Sequence, residues 1–388
     1  MLPVGSQLRG VMFPRYDEEH RKVTVLKAQA MTLVNEQTIA GESVAIEFFN
    51  PDGSPRGRVD LVTALFDQSR GMLRAQESVL MRSDRINAKG TGLCYAFDLG
   101  KGYLKGPVIT WIQPSTETTM NSNHSTIRNS ALMGMSLLTL PLSATPPAAV
   151  TTAERAAIQA DAVSRAPAAG QSATHAQTAL AKDARDAAVT SQAAHAFVAQ
   201  VALDDVTNAP SLVAAGQPLE VKPGPNDTVI TSDGGMYFDA DEGVVVYLKN
   251  VRVTDPRFAL TGANELKIFL TKKPEKAPDP TKPGKPPTPV KGMGAKFGEV
   301  DRMVANGAVH LVQKQTQSDK EPIEASGALC SYHVKTGQII LSGGYPWVKQ
   351  GSSFMRAKQP NLILRILKSG SFITEGNWEM GGKLEKKR

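Results

Sequence analysis

The sequence predicts an all-β chain: two antiparallel sheet domains joined by an Ala-rich linker that is partly helical or disordered. Three observations carry this. Short runs alternate apolar with polar residues, as in SVAIEFF at 43–49, VRV at 251–253 and VHLVQ at 309–313, which is the period of half-buried strands. A turn of one form recurs as FDQSRG at 66–71, FDLGKG at 97–102 and FDADEG at 238–243, and with His for Asp as YHVKTG at 332–337. A whole hairpin, GLCYAFDLGKGYLKGPV at 92–108, returns as GALCSYHVKTGQIILSGGYPWV at 327–348.

The turn has a physical reading. Asp bonds back to nearby backbone N–H groups and the closing Gly supplies a positive φ, so each copy joins two antiparallel strands. Register holds beyond it: Gly71 is followed eight residues later by Val79, and Gly243 eight residues later by Val251. The returning strand therefore keeps one face inward, since a slip of one residue would expose its apolar set. A length of 388 residues with 41% hydrophobic content suits about two cored domains. The boundaries expected are 1–115, a linker at 116–222, and 223–388.

The middle differs in kind from its flanks. Residues 148–202 are dominated by Ala, Gln, Thr, Asp and Arg, with few large apolar side chains and with Pro167 and Gly170 as interruptions. An Ala stripe buries little area, so frayed helix or disordered linker is expected. The N-terminus, MLPVGSQLRG, lacks a charged-then-apolar signal pattern. Within the linker, the apolar run at 131–142 follows Arg128; it is shorter than the roughly 20 residues of a membrane span and has the length of a signal-peptide core.

The net charge of +7 gathers in a Lys/Pro insert at 272–291 and a basic tail at 383–388. Neither alternates basic with aromatic residues, so both read as solvated segments rather than nucleic-acid contacts. Cys94 and Cys330 each follow Leu at the same place in the repeated hairpin, which makes them small apolar positions of separate units rather than the halves of a disulfide. Walker A, G-x-S-x-G and H-E-x-x-H patterns are missing, and the six histidines have no pair at ligand spacing. His310, which alternates with apolar residues, and His333, which stands in a turn, read as structural. No catalytic residue, metal or cofactor is expected.

Several motifs in one order carry a family resemblance. VANGAVHLVQ at 304–313, EASGALCSYHVKTGQIILSGGYPWV at 324–348 and MRAKQPNLILRI at 355–366 resemble the OstA-like domain of LptA, a lipopolysaccharide-transport protein. RYDEEHRKVTVLKAQAMTLVNEQTIAGESVAIEFFNPDG at 15–53, with GLCYAFDLGKGYLKGPV, resembles the related periplasmic family LptC. The resemblance covers about 10–113 and 226–368. The anchor expected before an LptC-like domain, a linker-free middle and an uninterrupted second domain are the points of departure.

The resemblance implies two β-jellyroll domains of the OstA-like kind. Each would be an open slot holding acyl chains of lipopolysaccharide or a related glycolipid. It also implies other lipopolysaccharide-transport proteins as partners, through edge-strand stacking of jellyrolls. The place implied is the periplasm, with association with the inner membrane through the LptC-like half. Alternation in the recurring strands makes Ile46, Phe48, Leu73, Val79, Val108, Val246, Val251, Val309, Leu311, Ile339 and Leu341 the candidates to line that slot. Core packing alone also asks for apolar residues there. A ligand-free structural or adhesive all-β surface protein is the competing class, and a carbohydrate-active β-solenoid the third. Phe66, Phe97, Phe238 and Tyr332, beside turns, are expected to plug the core.

Overall fold

Long strands linked by short turns form an antiparallel meander: β1 (Gln7–Tyr16), β2 (Lys22–Leu33), β3 (Thr38–Phe49), β4 (Pro55–Asp67), β5 (Met72–Ser83) and β6 (Ile86–Ala96). Two short strands follow, β7 (Lys101–Leu104) and β8 (Val108–Ile112), and then helix α1 (Ala169–Asp205). The second half opens with short β9 (Thr228–Ser232) and β10 (Met236–Asp239). It continues through long β11 (Val244–Thr254), β12 (Phe258–Leu270), β13 (Val300–Gln313) and β14 (Ile323–His333). It closes on β15 (Gln338–Ser342), β16 (Trp347–Gln350), β17 (Ser353–Ala357), β18 (Ile363–Ile366), β19 (Phe372–Thr374) and β20 (Trp378–Gly382). This computed structural model describes residues 3–17, 19–50, 52–83, 86–113, 169–205, 222–240, 242–271, 299–314 and 321–382. The signal-like run at 131–142, the Lys/Pro insert at 272–291 and the tail at 383–388 lie outside the described residues.

The long strands do not run straight. Their ladders shift between Leu61 and Leu65, Ala75 and Ser78, Leu248 and Val251, and Asn306 and Val309. Bulges of this kind bend a strand, so strands such as β5, β6, β12, β13 and β14 give one end to one layer and the other end to a facing layer. β6 shows the division, pairing through 93–96 with β7 and through 86–89 with β8. The rings of Phe258 and Tyr332 lie 5.6 Å apart. Phe258 is aligned through Gln313 with Ile323, nine residues before Tyr332 on β14. An unbent strand would separate those positions by about 30 Å. Their contact therefore requires the two layers to face each other across an interior, the arrangement of an all-β jellyroll-like fold.

The halves on either side of the 115–222 segment meet edge to edge. β7 pairs with β10, matching Gly102 to Phe238 and Tyr103 to Tyr237, while β8 pairs with β9, matching Thr110 to Ile230. Both layers of the first half thus continue into the second. Met1–Pro114 and Leu180–Arg388 form one compact unit, and one hydrophobic cluster runs through it from Ala28 to Ile366. Ser115–Ala179 forms the other unit, and only the start of α1 is described in it.

Glycine makes this approach possible. A Cβ on Gly102 would lie 2.1 Å from Cζ of Phe238, and one on Gly106 would lie 2.1 Å from the carbonyl oxygen of Asp233. The role expected of Gly102, a positive φ closing its turn, belongs instead to Gly100 at 61°; Gly102 gives up its side chain so that a ring from the other half can fill the space. In the other three copies the closing glycine does supply positive φ, at 59° in Gly71, 67° in Gly243 and 64° in Gly337. Asp67 makes the expected turn contacts, accepting from the backbone N–H groups of Ser69 and Arg70.

Two further expectations change. The Ala-rich segment is not frayed over its described C-terminal part: Leu180, Asp183, Ala187, Ala194, Phe197 and Val201 are all buried, at the three- and four-residue steps of one helical stripe. Alanine supplies two of its six positions, but Leu180, Phe197 and Val201 supply most of its area. The cysteines, joined by no disulfide, are not equivalent. Cys94 packs under α1, whereas Cys330 belongs to the interior. The repeat reads Cys-Tyr in the first copy and Cys-Ser-Tyr in the second; both tyrosines point inward, so the additional residue puts the cysteines on opposite faces.

Gly102→Val tests the junction. Branched carbons set against the Phe238 ring overpack a buried site, which costs about 1–3 kcal/mol. The thermal midpoint is expected to fall by several degrees, while the same change at exposed Gly381, whose Cβ would meet nothing within 4 Å, leaves it nearly unmoved. Equal effects at both positions would contradict the account.

Candidate functional site

Strand register turns scattered apolar residues into continuous rows. On one layer Phe13, Leu26, Ile46, Val59, Met81 and Ala88 are successive cross-strand neighbours. The row passes through Thr110 at the junction and on to Ile230, Val253, Leu260, Leu311, Ala325 and Val348. It ends at Met355 and Met380. Thr110 is the one polar member, and its hydroxyl is bonded to Tyr247 and lies 3.7 Å from Sδ of Met236. The two ends come out into solvent, with Phe13 48% and Met380 75% exposed.

The facing layer carries a second row. Ile39, Phe66, Leu73 and Tyr95 lead to Gly102. Phe238, Val245, Ile268 and Met303 follow, and then Tyr332, Ile339, Ile366 and Phe372. Where Gly102 leaves a gap, the Phe238 ring enters and stacks with Tyr95 at 6.0 Å. Phe66 and Phe97 meet edge to face at 5.7 Å. Between the rows of the second half lies a small apolar cleft of about 10 Å³, room for about one water-sized sphere. Leu311, Ile339, Leu260, Leu266, Met303 and Tyr332 are among the residues that line it.

All the residues chosen from the sequence are buried. Ile46, Phe48, Leu73, Val79, Val108, Val251, Val309, Leu311, Ile339 and Leu341 belong to the interior cluster. Val246 does not: with Val244 and Leu248 it packs against Phe197 and Val201 of α1. The run VVVYL at 244–248 is apolar on both faces because a helix covers the outer one, so hydrophobicity alone could not say which way Val246 points. Met81, Val253, Leu260, Met303 and Met355 were missed. They stand out only once the register aligns them.

Next to Phe258 in the chain, Arg257 pairs with buried Asp255 at 2.9 Å, and Asp255 accepts from Thr228 at 2.5 Å. Burial alone would raise the Asp255 carboxyl; hydrogen bonds from Arg257 and Thr228 outweigh it and hold the pKa below its usual value. Arg257 also bonds the hydroxyl of Tyr332, a residue that lines the cleft.

The outer face holds a polar cluster that sequence reasoning did not find. Asp183 of α1, 2% exposed, accepts from Ser331 Oγ at 2.5 Å and lies 2.9 Å from His333 Nε2 and 3.1 Å from Arg302 Nε. Arg302 also donates to Asp186 at 2.5 Å. Ser, His and Asp here do not form a nucleophilic triad. Ser331 Oγ and His333 Nε2 lie 3.3 Å apart, but both converge on one oxygen of Asp183, whereas in a triad the acid holds Nδ1, and Ser331 is fully buried. Further along α1, Glu265 accepts from Ser191 at 2.6 Å and from Lys267 at 2.5 Å, with His195 Nε2 at 2.6 Å. Lys267, itself 2% exposed, also donates to Asn306 at 2.6 Å. Among the described residues no His, Cys, Asp and Glu group could hold a metal ion, and no helix is long and apolar enough to cross a membrane.

No family profile matches the sequence, and no curated protein matches it. Among solved structures it is similar to LptH of Pseudomonas aeruginosa, described as the LptA-homologous periplasmic component of the lipopolysaccharide transport device. That similarity is at 16% identity over 40% of this chain and 94% of that one, with a TM-score of 0.30. A superposition this loose leaves function to the chain's own geometry.

The outer-face cluster sets an acid limit. Burial raises the Glu265 carboxyl, but hydrogen bonds from Lys267, Ser191 and His195 overcome that and bring its pKa from 4.5 to about 2. A depressed folded-state pKa contributes stability that is present above the unfolded value and lost as pH falls through the folded one. The midpoint difference between the native chain and Glu265→Gln is therefore expected to be constant above pH 5 and to shrink between 4.5 and about 2. Thermal melts across that range check it; a pH-independent difference would contradict the assignment.

Proposed function

We propose that the chain is a non-catalytic periplasmic carrier or bridge for lipopolysaccharide or a related glycolipid, whose acyl chains lie between the two layers. The observation that supports it best is the pair of apolar rows that pass from the first half to the second, one of them ending in exposed residues at β1 and β20. A structural sandwich needs a core in each half. It has no use for an apolar path running across every strand and left open at its ends. Each methylene moved from water into such an interior is worth about 0.8 kcal/mol, so an alkyl chain has ample reason to enter once the layers part. The LptA-like and LptC-like motifs fit this reading, with further jellyrolls of the transport machinery adding to the free edges of β1 and β20.

The competing reading, a ligand-free solid core, draws support from how fully the interior residues are buried. Leu311→Asp separates the two. A carboxylate among the cleft residues costs several kcal/mol unless water reaches it. A cleft that opens to admit lipid lets water in, so binding of a fluorescent lipopolysaccharide is expected to fall at least tenfold while β-type circular dichroism survives. Unfolding of the variant, together with no saturable binding by the native chain, would establish the solid core.

A further inference from the structure

The junction between the halves is made of short strands. β7 and β10 share four paired positions and β8 and β9 share five, and the glycines that permit the approach add no side-chain packing of their own. Helix α1 lies across the outer face of this region. Its stripe from Leu180 to Val201 extends about 32 Å at 1.5 Å per residue, enough to cross six or seven strands about 4.8 Å apart.

The contacts along α1 are of two kinds. Between Leu180 and His195 the polar anchors and the packing of Leu180 lie on the second half: Leu180 packs with Ile340 and Ile363, Asp183 and Asp186 hold Arg302, and Ser191 and His195 meet Glu265. Beyond Ala194 the cluster around Phe197 and Val201 draws on both halves. Met72, Cys94 and Ala96 come from the first, and Tyr237, Val246 and Leu248 from the second. The helix is thus fixed by directional polar bonds on one half, and its far end presses an apolar patch over the seam. Buried polar bonds of this kind set position more than they add stability.

We propose that α1 is a brace: anchored on the second half through Asp183 and Glu265, it uses Phe197 and Val201 to hold the β7–β10 seam closed and the interior rows of the two halves in line. The proposal rests on the seam and the helix alone and stands whether or not the interior carries lipid.

Hydrogen exchange of the full chain, followed by mass spectrometry, tests it. In Phe197→Ala, amides at 101–104 and 236–239 are expected to exchange at least tenfold faster than in the native chain, while β2 and β3, remote from α1, keep their rates. A helix that merely adds general stability would speed all of these together, and an idle helix would speed none; either result would overturn the proposal. Should Phe197→Ala fail to fold, Ser191→Ala, which loosens one anchor only, is expected to show the same local pattern to a smaller degree, and its absence would be equally decisive.

Discussion

Pairing of β7 with β10 and of β8 with β9 is the constraint on which everything else in this molecule depends. A sheet edge is a row of unsatisfied N–H and C=O groups and a template for another strand. Here each half satisfies the other's edge within one chain. Because both layers are joined at the same seam, the register passes through intact, and inward-facing residues of β1 to β6 become cross-strand neighbours of those of β11 to β20. Had only one layer been joined, the interior would be two cores separated by a gap.

The seam shows what close approach demands. Gly102 and Gly106 remove side chains where backbone and ring from the second half arrive, and the Phe238 ring restores the apolar surface that Gly102 gives up. The hydroxyl of Tyr103 reaches across to the carbonyl of Gly234 at 2.7 Å. Outside, α1 covers a surface that would otherwise leave Tyr237, Val244 and Val246 in water, and its buried carboxylate is tolerated only because Ser331, His333 and Arg302 all point at it. Interior rows, seam and brace are successive layers of one construction.

Much of this was legible in the sequence. Alternation located the strands, and the Asp-x-x-x-Gly turns gave the hairpins; Val79 and Val251, eight residues after their glycines, both point inward. Ten of the eleven apolar residues picked out by alternation belong to the interior cluster. What stayed hidden depends on pairs far apart in the chain. That Val246 faces a helix, that Gly102 faces Phe238, and that Asp183 meets Arg302, Ser331 and His333 cannot be seen from local period, because each partner is supplied by a different element. The helix itself was underrated for a related reason: Leu180, Phe197 and Val201, spread over twenty-two positions, look sparse until the 3.6-residue period gathers them on one face.

An apolar interior shared by both halves is the central claim for function, and site-specific photocrosslinking tests it most directly. A photoreactive residue at Ile46 samples the row in the first half, one at Leu311 samples it in the second, and one at Val246 samples the outer face under α1. With lipopolysaccharide as the ligand, the account predicts saturable crosslinking from positions 46 and 311 at similar concentrations and none from 246. Crosslinking confined to one half, or equally strong from 246, would contradict a single interior path.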